Sequence, residues 1–334
     1  MTEPTETTTP QAGDQGTGSQ YRIAAVVGAG TIGLSWATLF SAYGMQVRVT
    51  DPRPDLEQTV HGTVRQFAAT LPGGARDPDD LLSRIATTAE LDDAVSQADV
   101  VQENGPEKVD FKQDLFVGIE QAAPSHALLL SSSSGIMASD ISRDMKDPGR
   151  VVIGHPFNPP HVIPLIEVVP GQRTLPETVE AVVAFYRWLG KVPVVLRKEI
   201  GGFVANRLQS AMFRECVSLV LKGVVTPAEL DTIVSESVGP RWATKGPFES
   251  YHLGGGPGGL RHLLEHLGPG MARRWKDLGD PELSPGTVEM LSADSDERFH
   301  GQSYEKMTED RDREQLAVLA ARDAARADAR SQGS

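Results

Sequence analysis

The segment Gly28-Ala29-Gly30-Thr31-Ile32-Gly33 constrains this chain more than any other. An apolar run over 22–27 leads into it, residues 31–43 follow with helical spacing, and 46–50 alternate as a strand that ends on Asp51. That is one complete βαβ unit, and a parallel strand pair commits the chain to layers of helix on sheet. Each part has a physical task. Gly28 allows the tight turn, Gly30 lets a pyrophosphate approach the backbone, and Gly33 lets helix and strand pack closely. Thr31 and Ile32 open a helix whose N-terminus stabilises negative charge. Asp51 stands where a carboxylate binds ribose hydroxyls and repels the extra phosphate of NADP, so the expected cofactor is NAD. Arg53 nearby keeps NADP open as the lesser reading.

The alternation continues well beyond this unit. A helix is expected over 56–69, broken by Pro72-Gly73-Gly74, with further strands over 85–88, 99–102, 128–130, 151–154, 165–169 and 192–196. Helices fit from 91, over 111–122, near 139 and over 176–189. The pattern predicts an α/β fold with a doubly wound, Rossmann-type sheet. At Gly201-Gly202 the character changes, and nothing beyond reads as strand. Long helices are expected over 203–222, from the Thr226-Pro227 cap to 236, and over 304–330, with a mobile glycine loop over 253–259. The organisation is therefore a disordered tail over 1–20, an NAD-binding domain over 21–200, and an all-helical domain over 201–334 for substrate binding and dimerisation.

Charge and composition exclude several classes of partner. A formal net charge of −13 leaves no basic surface for nucleic acid or an anionic membrane. No apolar run approaches the roughly eighteen residues of a membrane span. The single cysteine, Cys216, rules out an intrachain disulfide, fits a cytoplasmic chain, and reads as a buried helix residue rather than a nucleophile. His262 and His266, four apart with Glu265 between, lack a third ligand, so no metal is expected.

A second motif supplies chemistry. The strand over 151–154 delivers His155 to a strand end, where Pro156, Asn158, Pro159 and Pro160 hold an irregular loop, and the following strand carries Glu167. A carboxylate against one imidazole nitrogen fixes the tautomer and leaves the other free to take a proton from an alcohol as hydride leaves its carbon. Two strand ends facing one another across a cleft would bring the pair together.

Four segments together resemble the 3-hydroxyacyl-CoA dehydrogenase superfamily, most closely the branch of λ-crystallin, L-gulonate 3-dehydrogenase and L-carnitine dehydrogenase. They are Leu130-Ser131-Ser132-Ser133-Ser134-Gly135, Gly154-His155-Pro156-Phe157-Asn158-Pro159-Pro160, Gly201-Gly202-Phe203-Val204-Ala205-Asn206-Arg207-Leu208-Gln209 and Arg241-Trp242-Ala243-Thr244-Lys245-Gly246-Pro247-Phe248-Glu249. The resemblance implies that His155 is the general base and Glu167 its partner. It implies that Ser134 and Asn206 hydrogen-bond the substrate oxygen, with Asn158 in the same cleft. It places Glu107 and Lys112 near the nicotinamide ribose and Ser132 facing the nicotinamide. Family members pair through the helical region, and the apolar stripe of Val204, Leu208, Met212, Val217 and Leu221 fits a homodimer.

The substrate class is read from two places. Acyl-CoA members carry a lysine-rich helix after the second strand, whereas here that helix has Arg65 as its only fixed cation. Arg241 stands where the branch acting on free hydroxy acids has an arginine, and a guanidinium can hold a carboxylate in two parallel hydrogen bonds. Trp242 or Tyr251 facing a quaternary ammonium would keep a carnitine-like substrate open. The expectation is an NAD-dependent oxidoreductase converting a 3-hydroxy acid, gulonate-like or carnitine-like, to the 3-keto acid. The alternatives are a 3-hydroxyacyl-CoA dehydrogenase and a non-catalytic NAD-binding protein of crystallin type, against which the intact His155/Glu167 pair argues.

Overall fold

The computed structural model describes residues 21–332, so the tail expected over 1–20 lies outside the described residues. The chain divides into two compact units after Val204. The first runs β1 (Ile23–Val27), α1 (Thr31–Ala42), β2 (Gln46–Thr50), α2 (Leu56–Phe67), α3 (Pro78–Leu82), β3 (Ile85–Thr88), α4 (Leu91–Val95), β4 (Val100–Glu103), α5 (Val109–Ala122), β5 (Leu128–Ser131), α6 (Ala138–Ile141), β6 (Val151–Pro156), β7 (Leu165–Pro170), α7 (Pro176–Trp188) and β8 (Val192–Val195). Its eight strands form one sheet in the order β3-β2-β1-β4-β5-β6-β7-β8.

Successive side chains of β1 explain the layering. Ala24 and Val26 join a core with Trp36, Phe40, Val49, Phe185 and Tyr186, while Ala25 and Val27 join a second with Phe116, Ile119, Leu129, Ile153 and Phe203. A strand buried on both faces must be apolar throughout, and the sequence of β1 is. The sheet is parallel except at β6 and β7, which pair antiparallel. The connection over 157–164 explains the reversal. It has eight residues, three of them proline, which is too short for the dozen or so residues of a parallel crossover. β8 then runs parallel to β7.

The second unit contains α8 (Ala205–Leu221), α9 (Pro227–Ile233), α10 (Gly239–Thr244), α11 (Pro247–Gly254), α12 (Gly259–Asp277), α13 (Pro285–Arg298) and α14 (Tyr304–Gln332), with no strand among its described residues. α8 begins later than the apolar spacing suggests, because Gly202 and Phe203 hold φ values of 72° and 50° that no right-handed helix contains. The mobile glycine loop expected over 253–259 is instead a tight corner. α11 continues to Gly254, a short 3-10 turn covers Gly256–Gly258, and α12 begins at Gly259. A Cβ on Gly255 would lie 1.9 Å from the Gly259 carbonyl oxygen, so glycine here serves close backbone approach rather than mobility. Polar ties hold the unit: Arg298 to Asp231 at 3.0 Å and the Gly279 amide to Glu215 at 2.6 Å. Among its described residues, Val217 and Leu263 are the only large apolar side chains that are buried, whereas Leu208, Phe248 and Trp275 are 62%, 78% and 64% exposed.

Candidate active site

The glycine turn lies between β1 and α1. Gly28 has φ 98° and donates its N–H to the Thr50 carbonyl at 2.8 Å. A Cβ on Gly33 would stand 1.9 Å from the Gly28 carbonyl oxygen, so a larger residue would push helix from turn. At Gly30, the residue before α1, a Cβ would meet nothing within 4 Å, which leaves open space before the helix N-terminus. No acidic residue occupies the first turn of α1, in which Thr31 and Ile32 lie. An open glycine face, an uncontested helix N-terminus and a carboxylate at the next strand end fit the diphosphate and ribose of a dinucleotide. Asp51 accepts hydrogen bonds from the Ala29 and Arg53 amides at 2.8 and 3.0 Å, one on each oxygen, which aims the carboxylate and leaves further lone pairs for hydroxyl donors. The Arg53 guanidinium pairs with Asp55 at 2.9 Å.

His155 and Glu167 are brought together differently from the expected meeting of two strand ends across a cleft. β6 extends through Pro156, and its antiparallel ladder with β7 sets His155 directly opposite Glu167 as cross-strand neighbours. His155 Nδ1 lies 3.0 Å from Glu167 Oε2, and both side chains are buried. The second carboxylate oxygen, Oε1, accepts the Val204 N–H at 3.0 Å. With Nδ1 on a carboxylate, Nε2 is the nitrogen left for proton transfer. Phe157 and Phe203 flank the imidazole, with centroids 4.8 and 5.2 Å from it. Phe203 is the one non-glycine with positive φ among the described residues, a conformation that costs on the order of 1–3 kcal/mol.

The serine segment follows β5 into a turn. Ser132 Oγ accepts from Trp36 Nε1 at 3.1 Å and Gln102 Nε2 at 2.9 Å and donates to Asn104 Oδ1 at 2.7 Å. The hydroxyl expected to face nicotinamide is thus also the hub of a polar network. Ser134 is exposed, and its amide donates to Glu107 Oε1 at 3.0 Å. Glu107 collects the Gly135 and Ile136 amides and the Ser133 hydroxyl as well. Burial opposes its charge, but Ser133, Lys112 and those amides outweigh it and hold the carboxyl below the usual range.

Glu107 and Lys112, which the resemblance implies lie near the nicotinamide ribose, also have partners within the fold. The Lys112 ammonium is 1% exposed and sits 2.6 Å from Glu103, with Glu107 at 3.7 Å. Glu103, at the end of β4 and fully buried, also accepts from Ser131 and the Gly105 amide. Lys112 therefore neutralises a carboxylate inside the fold. The sequence reading missed Glu103, although an acidic residue following Val100, Val101 and Gln102 at a strand end was a visible signal. It also missed Lys191, fully buried, which donates to the Pro160 and Ile163 carbonyls and lies 5.9 Å from the Trp36 ring. Burial pushes its amine down to about 7. His161 lies buried between the Ser35 and Thr70 hydroxyls.

Asn158 is exposed three residues beyond His155, in the loop that Lys191 fastens. Asn206 and Arg241 belong to the second unit, Asn206 in the first turn of α8 and Arg241, exposed, in α10. Cys216 is half-exposed on α8 rather than buried, and burial is the first cause raising its thiol above the ordinary range. The His262 and His266 rings lie parallel, 6.2 Å apart, and no cluster of three metal-ligating side chains occurs among the described residues.

Known proteins align with both units. The 3-hydroxyacyl-CoA dehydrogenase NAD-binding domain matches residues 23–200, and the C-terminal domain of the same family matches 202–281. An L-carnitine dehydrogenase of Streptomyces griseus is 40% identical over 309 residues, covering 90% of each chain. A 3-hydroxyacyl-CoA dehydrogenase of Gibberella moniliformis is 38% identical, covering 91% of this chain and 95% of its own. Among solved structures, a 5-formyl-3-hydroxy-2-methylpyridine 4-carboxylic acid 5-dehydrogenase, an NAD-dependent dismutase, superposes with TM-score 0.75 at 29% identity, covering 91% of this chain and 99% of its own.

Proposed function

Since the chain belongs to the 3-hydroxyacyl-CoA dehydrogenase family and is an NAD-dependent dehydrogenase, we propose that it oxidises the secondary alcohol of a free 3-hydroxy acid, carnitine-like or gulonate-like, to the 3-keto acid. The observation that carries the reading is the buried His155–Glu167 pair, 3.0 Å apart on one ladder. His155 Nε2 takes the hydroxyl proton, and Glu167 fixes the tautomer and stabilises the imidazolium. Gly28, Gly30, Gly33 and Asp51 would hold NAD, which when bound would supply the hydride acceptor. Ser134 and Asn206 are assigned to the substrate oxygen and Asn158 to its surroundings by their motifs. In the same way Arg241 is assigned to the substrate carboxylate.

The free acid is favoured over a thioester by Arg241 and by the lone fixed cation of α2, Arg65, which is paired with Asp79. Relatives named for each substrate class occur at similar identity, so the two are separated by assay. NADH formation from L-carnitine, other 3-hydroxy acids and 3-hydroxyacyl-CoAs is expected to favour a free acid. His155→Gln is expected to lower turnover about 100-fold or more while NAD still binds. Arg241→Met is expected to raise the Michaelis constant for the acid on the order of 100-fold and to leave a thioester's unchanged. Thioester preference in the wild type with indifference to Arg241→Met would transfer the assignment to the acyl-CoA class. The exposed apolar side chains of the second unit support a homodimer, and the lone cysteine suits a cytoplasmic location; light scattering at micromolar concentration tests the dimer.

A further inference from the structure

We propose that Phe203 is a positioning residue for the catalytic pair: its ring closes one apolar side of the His155 imidazole, and its left-handed backbone turns the next N–H, that of Val204, onto Glu167. The inference rests on reading His155 as the base, and it concerns what keeps that base oriented.

Three observations meet at this residue. Its ring is fully buried, and its centroid stands 5.2 Å from that of His155, with Phe157 also against the imidazole at 4.8 Å. Its φ of 50° follows Gly202 at 72°, and its N–H closes a turn on the Ile200 carbonyl at 3.1 Å. The next amide, Val204 N, donates to Glu167 Oε1 at 3.0 Å while Oε2 faces His155 Nδ1. Glycine or asparagine would adopt this backbone with little strain, so a phenylalanine held there needs a compensating use for its ring. The imidazole supplies one. A buried Nδ1–H on a carboxylate keeps its direction only while water is kept from both partners, and two aromatic rings do that. The Val204 amide adds a directional hydrogen bond to the other carboxylate oxygen, which restrains rotation of the carboxylate about its last torsion. Ring and backbone of one residue thus fix both members of the pair. Neither contact touches a reacting atom.

Proton NMR of the protein labelled with nitrogen-15 in histidine tests this without reference to turnover. A hydrogen-bonded imidazole N–H shielded from solvent gives a slowly exchanging downfield resonance, assigned here by its loss in His155→Gln. The wild type is expected to show it at neutral pH. Phe203→Gly relaxes the backbone but opens the ring's place to water. The resonance should broaden away, and kcat should fall on the order of 10-fold with the substrate KM within about twofold and NAD affinity unchanged. Phe203→Leu restores apolar cover and should recover the resonance and most of kcat. If the glycine variant does not fold, Phe203→Asn, which also accepts positive φ, carries the same expectation as glycine. A wild type without the resonance, or a glycine or asparagine variant that keeps either the resonance or wild-type kcat, overturns the proposal. Failure of His155→Gln to lower turnover would sink the functional reading instead and leave the resonance experiment interpretable.

Discussion

Replacing Lys112 by methionine separates two roles for one side chain. The structure buries the Lys112 ammonium against Glu103, with 1% and 0% of the two side chains exposed. Methionine keeps most of the volume and strands the carboxylate. Removing one partner of a buried ion pair costs about 3–5 kcal/mol. Glu103 retains the Ser131 hydroxyl and the Gly105 amide, which moderate the loss and point to the lower end, about 3 kcal/mol. For a unit of this size each kcal/mol moves Tm by about 2–4 °C, so a fall of about 6–12 °C is expected. The assay is thermal unfolding followed by circular dichroism, together with NAD titration well below the variant's Tm. NAD affinity should change less than about threefold, because the ammonium has no open side. The double variant Glu103→Leu/Lys112→Met, with neither charge stranded, should recover much of the stability. A single variant that melts within about 2 °C of wild type yet loses NAD affinity by about tenfold or more would refute this reasoning and return Lys112 to the cofactor.

Three further outcomes follow from described geometry. Lys191 titrates at about 7 in the folded chain against 10.5 for the ordinary amine, because burial penalises its charge. Between those values the unfolded chain binds more protons, so this residue makes stability rise with pH by up to about 1.4 kcal/mol per unit. Urea midpoints at pH 7.5 and 9.5 should show that rise in the wild type and not in Lys191→Met, and parallel pH dependences would refute the burial. Gly33→Ala places a Cβ 1.9 Å from the Gly28 oxygen and should weaken NAD binding about tenfold or more by calorimetry; unchanged affinity would show that the turn yields at no cost. Asp51→Ala should narrow the preference for NAD over NADP, and equal kcat/KM with both cofactors in the wild type would remove the basis for assigning Asp51 to the ribose.

What the sequence disclosed follows from how local each feature is. The glycine turn was legible because its strand, turn, helix and closing Asp51 lie within one stretch of chain. His155 and Glu167 were legible as a pair through the family motif, but not as cross-strand neighbours, since register emerges only when β7 folds back on β6. Counting the 157–164 connection would have predicted that reversal. The Glu103–Lys112 pair was hidden because it needs β4 and α5 to pack, whereas Glu107, closer in sequence, drew the assignment. In the second unit the glycines near 255 read as a loop, because composition does not show the close approach of Gly255 to the Gly259 carbonyl that turns the chain from one helix into the next.

The ladder between β6 and β7 has a consequence for how the pair behaves in time. Every residue of β6, and β7 from Ile166 to Val169, is buried, and the two strands lie within the sheet rather than at its rim. Separating His155 from Glu167 by backbone motion therefore means opening that sheet, an event close to global unfolding. Amide hydrogens along 152–155 and 166–169 should exchange among the slowest in the protein, with or without bound dinucleotide. The backbone that carries the pair would then persist between turnovers, so that only side-chain torsions, and not the strand register, need be restored in each cycle.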